Sequence, residues 1–119
     1  MEIVKSFNEI PNLYEANRIY SIGNKIGVML SEDTIFPNSS YNKIEYLQKR
    51  VLCKNISNGL TIKPEGIFVA KGTVLVLDHI EVSRLGVVGY VNIFDSQVCE
   101  CMFSFNIIHG AKGSMCEVK

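Results

Sequence analysis

Chemistry in this chain must come from four cysteines, two histidines or one turn-rich stretch, Thr34 to Val51, which reads TIFPNSSYNKIEYLQKRV. Cys99 and Cys101 stand two apart in an alternating apolar run, where strand geometry puts both on one face and pointing the same way. Cys53 and Cys116 complete no Cys-x-x-Cys pair, and His79 and His109 stand alone, so no zinc ligand set of ordinary spacing is present. The cysteines read as reduced, buried side chains. His79 falls with Leu75, Leu77 and Glu81 on the alternation of one strand, as a hydrogen-bonded or surface histidine rather than a base. His109, beside Gly110 after the last strand, reads as a solvent-facing tail residue. There is no phosphate-loop or triad motif. The 34–51 stretch runs a polar loop straight into a helix-like pattern. Asn42-Lys43-Ile44-Glu45 fits a capping box, with Asn42 at the N-cap and Glu45 reaching back, a role worth about 1 kcal/mol and no catalysis.

The elements that must position these residues follow from periodicity. Ile44, Leu47 and Val51, with Leu52, recur at spacing three to four and predict a helix over Tyr41 to Lys54. Asn58-Gly59 closes that region, and Pro64-Glu65-Gly66 turns the chain into Ile67-Phe68-Val69. Upstream, LYEANRIYSI and KIGVMLSE flank Gly23-Asn24 and predict a hairpin. From Gly72 to Ile108 three β-rich runs, TVLVLDHIEVSR, VVGYVNIF and VCECMFSFNII, predict an antiparallel meander. In its last run Cys99, Cys101, Phe103, Phe105 and Ile107 share one face, with Glu100, Ser104 and Asn106 on the other. Hairpin, helix and meander make an α+β domain over residues 1–119, with a single helix covering one face of an antiparallel sheet.

Composition narrows the function. The chain has 119 residues, 47% apolar and 20% charged, with 12 basic and 12 acidic side chains, which suits one globular domain with a small core. Zero net charge without a basic block argues against nucleic acid and against an anionic membrane surface as partners. No apolar run nears the ~20 residues that span a bilayer, and the start lacks a leader pattern, so the expectation is a cytoplasmic protein with no membrane partner.

Taken in order, these segments resemble the 3-hydroxyacyl-acyl-carrier-protein dehydratases of the hotdog fold. Ile10-Pro11 with Leu13 to Ile19 resembles the family's opening, and Ile35-Phe36-Pro37 its "FFPGHFP" loop. Ile44-Glu45-Tyr46-Leu47-Gln48 resembles its helix motif, and Lys71-Gly72-Thr73, Arg84, Asp95-Ser96 and Val98-Cys99-Glu100-Cys101 its C-terminal half. The resemblance implies a curved antiparallel sheet wrapped around a central helix, paired edge to edge as a homodimer or higher oligomer. It implies an acyl thioester of acyl-carrier protein or coenzyme A as partner, as in fatty acid biosynthesis, with no cofactor. Glu45 takes the place of the family's catalytic carboxylate, and Phe36, Asn38, Ser39, Ser40, Tyr41 and Gln48 the places lining the substrate. The family's loop histidine is missing, because Asn38-Ser39-Ser40 stands where "GHF" would, and Glu45 and Gln48 are three apart instead of four. Dehydration needs a base, an acid and oxyanion donors. With one carboxylate left, the expectation widens to a thioesterase, a noncatalytic acyl-binding module or a partner subunit.

Overall fold

The computed structural model describes residues 2–39, 42–46, 54–56, 59–63, 65–84, 86–95, 99–107 and 112–119. In chain order they form β1 (Ile3–Phe7), α1 (Leu13–Ser21), β2 (Lys25–Leu30), β3 (Thr34–Pro37), β4 (Asn42–Tyr46), β5 (Lys54–Ile56), β6 (Leu60–Lys63) and β7 (Gly66–Val69). There follow β8 (Val74–Leu77), β9 (His79–Ser83), β10 (Gly86–Asp95), β11 (Cys99–Asn106) and β12 (Gly113–Val118). The strands make three antiparallel four-stranded sheets, ordered β1-β12-β2-β8, β4-β11-β10-β9 and β3-β7-β6-β5. All three feed one core, in which Phe36 from β3 packs 5.5 and 5.0 Å from Phe103 and Phe105 of β11. Ile26, Val28, Leu30, Leu75 and Leu77 close it from the first sheet.

This is not a hotdog fold, which wraps one sheet around a long central helix. The only helix of several turns among the described residues is α1, nine residues long, where a hairpin arm was expected. Asn12 caps α1 by accepting the Glu15 N–H at 2.8 Å, and Ala16 and Ile19 turn inward. Gly23, at φ +86°, then ends it: Gly23 N–H donates to Tyr20 and Asn24 N–H to Ile19, a Schellman closure. Gly23-Asn24 is thus a helix stop, and only the second arm, β2, is a strand.

The helix expected over Tyr41 to Lys54 is overturned at both described ends. Asn42 to Tyr46 pair with Phe105 to Cys101, and Lys54 to Ile56 pair with β6. Period two prevails over period three to four because Ile44 can bury opposite Phe103 while Lys43 and Glu45 face outward. Leu47, Val51 and Leu52, which carried the helical spacing, lie outside the described residues. The capping box at Asn42 dissolves with the helix.

The β9-β10-β11 meander is present, with Phe103, Phe105 and Ile107 buried as expected, although Asn106 is buried as well. The run TVLVLDHIEVSR, however, breaks at Asp78. Its first half pairs with β2 and its second with β10, so His79 does not share a face with buried Leu75 and Leu77. The strand β12, absent from the expectation, fills the centre of the first sheet between β1 and β2.

Candidate functional site

The residues expected to form an acyl site come apart. Phe36 is at the centre of the core with 0% exposure, packed on Phe103 and Phe105. Asn38 and Ser39 fasten a corner: Asn38 Oδ1 accepts the Ile44 N–H, Ser39 Oγ accepts the Asn42 N–H, and Ser39 N–H donates to Asn42 at 2.9 Å. Their polar atoms serve the turn between β3 and β4. Ser40, Tyr41, Gln48 and His109 lie outside the described residues. Glu45 projects from β4 with its carboxylate 3.2 Å from the Lys43 ammonium, both well exposed.

Glu45 nevertheless has company. Strand register lays Lys43, Ser104, Tyr90 and His79 in one row across β4, β11, β10 and β9, on the face turned away from the core. His79 stacks on Tyr90 with ring centroids 4.3 Å apart and planes 9° from parallel. Its Nδ1 is 2.9 Å from Asp78 Oδ2, a contact in which the carboxylate accepts when that nitrogen bears the proton. Its Nε2 lies 3.6 Å from Glu81, which also accepts the Tyr90 hydroxyl at 3.0 Å. Burial, and then the Glu81 carboxylate, push the Tyr90 phenol up, so it is a donor and not a nucleophile. The His79, Asp78 and Glu81 side chains are 44 to 59% exposed, where water screens each charge and nothing among the described residues encloses a reacting group. Among the described residues no group of three or more His, Cys, Asp or Glu is arranged to hold a metal ion.

Concavity lies elsewhere: one hollow of about 620 Å³ is lined by Phe7 to Ile10 and Lys112 to Met115, and two adjoining ones lie at the start of β8. A groove of about 760 Å³ is lined by Gly59, Ala70, Lys71, Gly72, Thr73, Val74 and Val76. A second hollow of about 340 Å³ shares Gly59 and Ala70 with it and adds Ile35, Thr61 and Phe68. The strand supplying the groove wall ends its sheet: β8 pairs with β2 on one side only. Thr73 O accepts the Leu30 N–H towards β2, whereas Asp78 N–H points the other way, to Tyr90 O at 2.7 Å. Backbone groups alternate along a strand, so Leu75 and Leu77 bond to β2 while Val74 and Val76 turn their N–H and C=O groups outward. Among the described residues nothing pairs with those outward groups. The side chains alternate too, with Leu75 and Leu77 buried and Val76 36% exposed.

Local chemistry fixes this edge in place. Gly72, at φ +85°, makes the tight turn ahead of β8, and Asp33 Oδ1 accepts the Lys71 N–H at 2.7 Å to pin it. At the far end Tyr20 of α1 donates its hydroxyl to Leu77 O, and burial pushes its phenol up to about 12. Gly27 of β2 lets Val74 lean in, since a Cβ there would stand 2.8 Å from Val74 Cγ1. Sequence reasoning placed Lys71-Gly72-Thr73 at a strand start but missed the edge. The signal was the VLVL alternation, two valines out and two leucines in, beside a glycine turn.

Comparison with family models, with characterised proteins and with solved structures returns no match. Among the described residues no helix is long and apolar enough to cross a membrane.

Proposed function

We propose that this chain is a noncatalytic binding module that takes up an extended polypeptide segment as an added strand along β8. The observation that carries it is the pair of outward-turned backbone units at Val74 and Val76 on the wall of the groove, which nothing among the described residues pairs with. An incoming strand pairs with such an edge through main-chain bonds, and its alternate side chains drop into the groove for selectivity. The lining suits a backbone better than an acyl chain. Gly59, Ala70 and Gly72 permit close approach, whereas an acyl thioester calls for an enclosed apolar tunnel. Glu45 is on a different face and lines neither groove.

The test is a displayed library of seven-residue peptides panned against the folded protein, followed by anisotropy titration of the winners. Val76→Pro deletes the outward N–H without touching a bond to β2, and sheet edges tolerate proline. It should weaken binding about five- to tenfold, the equivalent of about 1 kcal/mol for one main-chain hydrogen bond. Val76→Thr keeps the N–H and should bind like the parent. Equal affinity of Val76→Pro and the parent, with both folded, would sink the proposal.

A further inference from the structure

Resting on that reading, we infer that the segment bound along β8 carries a carboxylate at its C-terminal end, received by Lys71. Every strand pair among the described residues is antiparallel, and an antiparallel partner of β8 runs its C-terminal end towards the start of β8. That is where Lys71 lines the groove. Its backbone N–H is committed to Asp33, but among the described residues no carboxylate lies within ion-pair reach of its ammonium. Beside it the space over Gly72 is open, with nothing within 4 Å of where a Cβ would stand. Towards Gly59 the groove narrows, because a Cβ there would meet Thr73 Oγ1 at 2.6 Å and Ala70 Cβ at 3.2 Å. Room and the Lys71 ammonium therefore coincide at one end of the edge, while the Asp33 carboxylate there is engaged by the Lys71 backbone N–H. The ligand class is an extended, neutral to apolar stretch ending in an anionic group, either an acidic side chain or the main-chain terminus.

Three dye-labelled probes of one alternating valine-threonine heptapeptide separate these sources by fluorescence anisotropy. One ends in Glu with an amidated terminus, one in Gln with a free carboxylate, and one in Gln with an amide. At least one acidic probe should bind about five- to tenfold tighter than the neutral one, and Lys71→Met should close that gap, read as the ratio of acidic to neutral affinity within each protein. Which acidic probe gains identifies the source. Equal binding of all three, still weakened by Val76→Pro, would overturn the carboxylate and leave the added strand standing. A gap that survives in Lys71→Met would overturn the assignment to this lysine. Binding of no probe by a protein that also yields no library peptide would overturn both.

Discussion

At the scale of single residues, the ionised groups among the described residues divide into those that water screens and one, Glu117, that it screens little. Glu45, near Lys43 on an open strand, belongs to the first kind. Glu117 is different: its residue is 3% exposed, and its carboxylate accepts from Asn24 Nδ2 at 2.5 Å and from Arg18 Nη2 at 2.8 Å. The Asn24 bond first, and then Arg18, hold the carboxyl below the ordinary range against the opposing effect of burial. A group depressed in the folded state contributes stability that is present above its unfolded value, about 4.3 for Glu, and lost as pH falls through the folded value. Glu117→Gln should therefore cost about 2 kcal/mol near neutral pH, through lost charge-assisted bonds at a buried site. The gap in Tm between parent and variant should hold steady above about pH 5 and shrink on further acidification. A gap of constant size down to pH 3 would show that Glu117 is not the acid-sensitive group. Nothing in the stretch GSMCEVK distinguishes this glutamate from a solvated one, because its partners come from α1 and the turn after it, about a hundred positions earlier in the chain.

At the scale of elements, two similar local codes compete, and tertiary pairing decides between them. Asn12-x-x-Glu15 and Asn42-x-x-Glu45 are both capping-box patterns, yet only the first starts a helix. Behind Asn12, Ala16 and Ile19 bury on one side, and the Schellman closure at Gly23 gives the segment a stop of its own. Behind Asn42, the open edge of β11 offers Ile44 a place opposite Phe103, so the same code is spent in a strand. Asn12→Ala should cost about 1 kcal/mol, read as a drop of about 4–8 °C in Tm, and Asn12→Ser should restore most of it. If Asn12→Ala melts with the parent, α1 is held by packing alone. The meander was legible because its runs are rich in β-branched and aromatic residues and the last one alternates from Cys99 to Ile107. The bend at Asp78 was not, since it depends on which sheet each half pairs with.

For the whole molecule, three sheets around one core replace the one sheet and central helix of the expected fold. Antiparallel strands and a buried aromatic cluster were readable from alternation and β-branched content. Their division among sheets was not, because sheet membership here is set by contacts between β1 and β12 or β2 and β8, distant in sequence. This bears on assembly. The homodimer was expected because hotdog sheets join edge to edge, and in this architecture the open edge in question is β8, four residues long. Its VLVL sequence can in principle pair with itself, Val74 opposite Val76 of a second copy, through four main-chain bonds. Four residues a side fall well short of the roughly 1,200 Å² that stable interfaces bury. On the proposed function this edge takes a slimmer partner, a single added strand. Multi-angle light scattering at micromolar concentration should report a monomer, and addition of a binding heptapeptide should leave that mass unchanged apart from the peptide itself. A dimer that Val76→Pro dissociates, and that the peptide also dissociates, would instead make a second copy the resident occupant of β8, with the peptide as its competitor.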